Sequence, residues 1–205
     1  MNASFEMDRR GLLGQILLLA GVATIPAGCK LSDNANGSDF TFKAEQMVTL
    51  SAFADTMIPK GDTIGALEVS VPKTFEQLMR NWASAETREA ITGALGRLDD
   101  AASMSGGKAF AALAPAERIA AIKAYEVEAM KPDPDARPAG GIEMLMGPVH
   151  MDEGYARMRS LVIKLFYLTE PALTQELRYE HDPNGYIASV PVTPETRPAG
   201  GLSSI

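Results

Sequence analysis

The chain has 205 residues, of which 46% are hydrophobic and 22% charged, with a net charge of -7; this suits one globular domain and excludes wholesale disorder or a multi-span membrane protein. The excess of acid disfavours nucleic acid as a partner, because contacting phosphates needs Lys and Arg gathered on one face, and no such run occurs. A single cysteine, Cys29, rules out an intrachain disulfide and the several-cysteine sets of iron–sulfur clusters, thiolate zinc sites and covalently attached haem. The chain is therefore expected to carry no redox cofactor of its own.

Asp8, Arg9, Arg10, Gly11, Leu12 and Leu13 are ordered like a twin-arginine export signal. The apolar run that follows, Leu12 to Ile25, is interrupted by Gly14, Gln15 and Gly21 and is too short to cross a bilayer comfortably, so residues 1–29 read as a targeting segment and the mature protein as periplasmic. Two ends to that segment stay open: cleavage after Ala27, or a lipobox in which Cys29 is lipidated, although Pro26 stands where such boxes usually have leucine.

Residues 30–42 form a polar spacer, and a helical domain is expected over 43–178. Met47, Leu50, Phe53 or Ala54, Met57 and Ile58 share one helical stripe that Pro59 ends. After a loop containing Asp62 and Gly65, Pro72 opens a second helix with Phe75, Leu78, Met79 and Trp82 on one face. Ser84 caps a third, carrying Ile91, Leu95 and Leu98, which is expected to run out at the flexible Ser103–Gly107 stretch. Pro115 starts a fourth, with Ile119, Ile122, Tyr125 and Ala129 as its face. Pro132 to Gly147 reads as a Pro/Gly-rich loop. A fifth helix with Tyr155, Met158, Leu161, Val162, Leu165 and Leu168 is apolar on more than one side and is the candidate core helix, kinked or stopped by Pro171. Residues 179–205 read as an extended tail without a core of its own, carrying aromatic and branched residues suited to docking on another surface. The fold class expected is mainly α, an irregular domain of about five to six helices with a long Pro/Gly-rich tail.

No Gly-x-Gly-x-x-Gly follows a strand and no phosphate loop of the Walker type occurs. Only two histidines are present, His150 and His181. His150 lies among Met144, Met146, Met151 and Met158, a soft-ligand set that copper could use, although methionines more often fill uneven contacts in a core or interface. His181, between Glu180 and Asp182, could act as a base or simply fix the tail. Asp55 and Asp62 are acids near a helix end, where carboxylates are common for structural reasons.

Leu50 to Pro59, then Asp62-Thr63-Ile64-Gly65-Ala66 and Val71-Pro72, resemble the opening of the gluconate 2-dehydrogenase subunit 3 family, which includes the small gamma subunits of glucose and glucoside 3-dehydrogenases. Phe110 with Leu113 to Arg118, Lys164 to Glu170, and Glu180 to Tyr186 fit the same pattern in order. The resemblance implies a non-catalytic small subunit bound to a large FAD-dependent flavoprotein of the GMC type, often with a cytochrome c as third member. It also implies that this subunit bears the export signal for both chains. The flavin is then expected in the partner, with no cofactor, metal or catalytic residue here. Expected partner-binding residues are Met144, Met146, Phe166, Tyr167, Tyr179, His181, Tyr186 and Ile187. Competing readings are a stand-alone periplasmic enzyme, hydrolytic or copper-dependent, that uses His150 or His181, and a lipid-anchored structural protein held through Cys29.

Overall fold

The computed structural model describes residues 39–136, 148–177 and, further on, 189, 191–194 and 196–197. The chain divides after Asn36, and all of these residues lie in the second of its two units.

Helix α1 (Ala44–Met57) buries Leu50, Ala52, Phe53 and Ala54 on one stripe, the period expected of an amphipathic helix. Its first turn is closed by the Lys43 N–H donating to the Gln46 side chain at 3.0 Å. The chain then reverses: the Ala66 N–H donates to the Ile58 carbonyl at 2.9 Å, and the Glu68 carboxylate accepts from the Gly65 N–H at 3.0 Å. Gly65 is required here because a Cβ would sit 2.6 Å from the Lys60 nitrogen. Hydrogen bonds from Lys60 and the Gly65 N–H hold the exposed Glu68 carboxyl below its ordinary value.

Helix α2 (Val71–Asn81) has Pro72 in its first turn and buries Val71, Phe75 and Met79. Trp82 departs from the expected stripe and is 82% exposed. It is the C-cap, and its φ of -128° has already left the helix, so the helical period no longer places its ring. Arg88 closes the end of α2, donating to the Met79 and Arg80 carbonyls at 2.8 and 3.3 Å, as a cation near a helix C-terminus does.

Helix α3 (Ala85–Gly106) starts where the Ser84 hydroxyl accepts from the Thr87 N–H at 3.1 Å and stops at Gly107, whose φ is 66°. The helix runs through Ser103–Gly106 rather than fraying there. What ends it is the left-handed turn that Gly107 adopts at no steric cost. Ile91, Ala94, Leu95, Leu98 and Ala102 are buried.

A 3-10 turn (Phe110–Ala112) leads to α4 (Pro115–Ala129), whose start is capped by Glu117 accepting from the Ala114 N–H at 2.8 Å. Ile122 and Ala129 face inward, while Ile119 is exposed. Beyond α4 the backbone pairs with the segment preceding the next helix: Asp133 N–H to Val149 O at 2.8 Å, Met151 N–H to Lys131 O at 2.9 Å, and Asp152 N–H to Ala129 O at 2.9 Å.

Helix α5 (Glu153–Tyr167) is a core helix, burying Gly154, Tyr155, Met158, Val162 and Phe166; of its expected face Leu161 and Leu165 are partly buried, whereas Leu168, the C-cap, is exposed. Phe53 meets Tyr155 edge-on at 5.7 Å. Burying side chains of this size contributes about 1.5–3 kcal/mol each. The helix crosses α3 so closely that a Cβ on Gly154 would lie 2.2 Å from the Ala90 carbonyl oxygen.

Pro171 neither kinks nor stops α5. The helix ends at Tyr167, and Pro171 sits in the first turn of a further short helix, α6 (Glu170–Gln175), capped by Thr169. Proline has no N–H, and a first turn needs none there. Among the described residues the domain is thus mainly α, with six α-helices and only an isolated Pro132–His150 bridge in place of strands. No described helix is long and apolar enough to cross a membrane.

Candidate functional site

Asp152 immediately precedes α5, where an aspartate can accept from the free N–H groups of the first turn. Its Oδ1 accepts from the Tyr155 N–H at 3.0 Å. From α3, Arg97 adds a two-pronged contact, Nε to Oδ2 at 2.9 Å and Nη2 to Oδ1 at 2.6 Å. From α4, the Tyr125 hydroxyl donates to Oδ2 at 2.6 Å. A second acid–base set lies beside it: the Tyr155 hydroxyl donates to Glu126 Oε1 at 3.1 Å, and Arg159 Nε lies 2.9 Å from that oxygen. The Tyr125 and Tyr155 rings are 5.0 Å apart. Three helices are therefore joined at one buried carboxylate.

Burial by itself would raise the Asp152 carboxyl, but hydrogen bonds from Arg97, Tyr125 and the Tyr155 N–H outweigh it and hold the group below the usual carboxylate range. Burial, with the hydrogen bond to Asp152, pushes the Tyr125 hydroxyl up to about 12. Burial and the neighbouring Glu126 raise Tyr155 as well, and the Asp152 hydrogen bond raises Arg97. A carboxylate that already accepts four hydrogen bonds is a weak proton acceptor near neutral pH. The arrangement is suited to fixing the helices to one another. Beside it, Arg97, Ala101, Ala124, Tyr125, Ala129 and Met151 line an open cleft of about 680 Å³.

His150 is half-buried, with its N–H 3.4 Å from Glu153 Oε2, and it borders a smaller cleft of about 380 Å³ with Arg157 and Lys164. Met158 is fully buried in the core, whereas Met151 is 58% exposed. No group of three or more His, Cys, Asp or Glu that could hold a metal occurs among the described residues. Asp55 faces Arg118 at 3.7 Å, and Asp62 is exposed in the turn after α1.

Of the expected partner-binding residues, Phe166 is only 2% exposed and belongs to the core, and Tyr167 is half-buried against it with the rings 5.1 Å apart. Met144, Met146, Tyr179, His181, Tyr186 and Ile187 lie outside the described residues, as do Arg9, Arg10, Leu12, Leu13 and Cys29. Sequence reading did not single out Arg97, Glu126, Asp152 or Arg159. For Asp152 a signal existed, an aspartate placed to cap an apolar helix. For the others there was none, since they meet only when three helices pack.

Fold and cluster together define a small helical domain whose polar cluster clamps its own helices. The chain belongs to the gluconate 2-dehydrogenase subunit 3 family, whose model matches residues 44–184. That family name is the name of one subunit of a multi-subunit dehydrogenase. No curated protein and no solved structure matches the chain.

Proposed function

We propose that this chain is the non-catalytic small subunit of a periplasmic FAD-dependent sugar dehydrogenase, which binds the large flavoprotein, stabilises it and carries it through twin-arginine export. The observation that carries this reading is the family match, which covers the helical domain from α1 to beyond α6. Further support comes from the Arg9-Arg10-Gly11-Leu12-Leu13 order near the amino terminus and from a polar cluster whose groups are bonded to one another. The surface assigned to the partner comprises the tail residues Tyr179, His181, Tyr186 and Ile187, together with Met144, Met146 and Tyr167, the last backed by the buried Phe166.

The physical logic of export is that a flavoprotein folds around its flavin in the cytoplasm and can cross only as a folded passenger. The contact must then form before transport and survive it, which calls for a broad apolar interface of the obligate kind. The test replaces Arg9 and Arg10 by Lys and measures dehydrogenase activity on each side of the inner membrane. Activity is expected to remain in the cytoplasm, and normal activity in the periplasm would refute the passenger role.

A further inference from the structure

We infer that residues 39–43 form a strap that ties the chain ahead of α1 to α2 and α3, and that this strap is the boundary at which amino-terminal processing of the folded protein stops. The inference goes beyond the subunit reading and does not depend on it.

Residues 39–43 belong to no helix or strand, yet side chains from two helices fasten them. Phe42 is only 5% exposed. Its ring lies tilted against Phe75 of α2 with centroids 6.2 Å apart, and Phe40 meets it edge-on at 5.0 Å. The backbone is held as well. The Phe42 N–H donates to Glu76 Oε1 at 3.0 Å, and Arg80 donates from Nε to the Phe40 carbonyl at 3.0 Å and from Nη2 to the Thr41 hydroxyl at 3.3 Å. Arg88 of α3, which also closes the end of α2, lies over the Phe40 ring at 5.5 Å, within cation–π range. The segment thus runs along α2, with Phe42 beside Glu76 and Phe40 one turn further on at Arg80.

These hydrogen bonds join positions 34 to 40 residues apart along the chain, so the strap exists only when the domain is folded. The region matched by the family model starts at residue 44, and the folding unit therefore begins ahead of it. A protease acts on an accessible, extended stretch and so cuts a docked segment only through local opening. Opening here would expose Phe42 and break the three hydrogen bonds together, which makes the strap a barrier to trimming. Both ends considered for the export segment, after Ala27 and at Cys29, fall ahead of the strap, so either leaves it whole.

The experiment treats the full folded chain with chymotrypsin, which cuts after aromatic residues, and follows cleavage after Phe40 and Phe42 by mass spectrometry. Cleavage after Phe75, buried in α2, reports opening of the whole domain. In wild type the two strap bonds are expected to be cut at least about a hundredfold more slowly than in a free peptide of residues 34–48. Arg80→Ala should speed their cleavage about tenfold while Phe75 stays protected, and Lys73→Ala, at an exposed position of the same helix, should change nothing. Phe42→Ala should lower the melting temperature by about 6–12 °C. Wild type cut at the peptide's rate, Arg80→Ala as resistant as wild type, or Phe75 opening in step with Phe40 would overturn the strap. The amino terminus of the protein isolated from its source bacterium is expected ahead of Phe40, and one at Ala44 or later would overturn the boundary.

Discussion

Alanine substitution at two glycines should have opposite effects, and the comparison tests the packing of α3 on α5 directly. At Gly154 an added Cβ would stand 2.2 Å from the Ala90 carbonyl oxygen and 2.7 Å from its carbon, both backbone atoms. Neither atom can swing aside as a flexible side chain would, so the two helices must separate. Gly154 also lies two residues after Asp152, so a shift there disturbs the bonds from Arg97 and Tyr125 too. Overpacking of this kind costs about 1–3 kcal/mol, and the rigidity of the obstacle places Gly154→Ala at the upper end. Gly96 lies within α3 with nothing within 4 Å of its added Cβ, so Gly96→Ala should gain about 1 kcal/mol from helix propensity. At roughly 2–4 °C per kcal/mol for a protein of this size, the two variants should melt well apart on opposite sides of wild type. Scanning calorimetry at neutral pH measures this. If Gly154→Ala melted at or above the wild-type temperature, α3 and α5 would not approach as described.

Asp152→Asn should destabilise the domain by about 1–3 kcal/mol in urea unfolding, because it weakens the Arg97 pair and leaves buried donors poorly matched; the half-exposed Arg97 keeps the loss below that of a fully buried pair. The folded Asp152 carboxyl lies below its ordinary value of 3.8, so its contribution is fully present above that value and is lost as pH falls through the lower, folded one. Wild type should therefore lose more stability than Asp152→Asn as pH falls from neutral to below 3.8, and equal losses in urea titrations would contradict the assigned bonds. Tyr125→Phe removes a single donor to Asp152 and should cost about 1 kcal/mol with the fold unchanged by circular dichroism. In the assembled dehydrogenase, His150→Ala and His181→Ala should leave turnover nearly intact; a thousandfold or so loss at unchanged flavin content would give this chain a part in proton transfer. Deleting the chain from Tyr179 onward should release the flavoprotein during copurification, and full recovery of active complex would show that the tail is no essential clamp.

Local rules decided much of the architecture before any packing was considered. Ser84, Pro72 and Pro115 mark helix starts because capping and a missing N–H act within one turn, and the stripes of Leu50 with Phe53 and of Ile91, Leu95 and Leu98 became buried because period alone fixes which face is apolar. The family was legible too, since its motif at the α1–α2 turn is a local structure held by Gly65 and Glu68. Where the reading went astray, the deciding contact was distant or the backbone had changed state. Pro171 is compatible with ending one helix or starting another, and the turn at Leu168 and Thr169 chose the second. Trp82 follows the apolar period of α2 but lies one residue beyond the helix. Phe166 and Tyr167 are adjacent aromatics that the sequence offered equally to a partner, yet the orientation of α5 buried the first and left the second half-covered. Arg97, Tyr125 and Asp152 are 27 to 55 residues apart along the chain in their bonded pairs, and no local rule couples positions so far separated. Their union needed α3, α4 and α5 to pack first, because only then is water excluded enough for a carboxylate to be held by partners from all three.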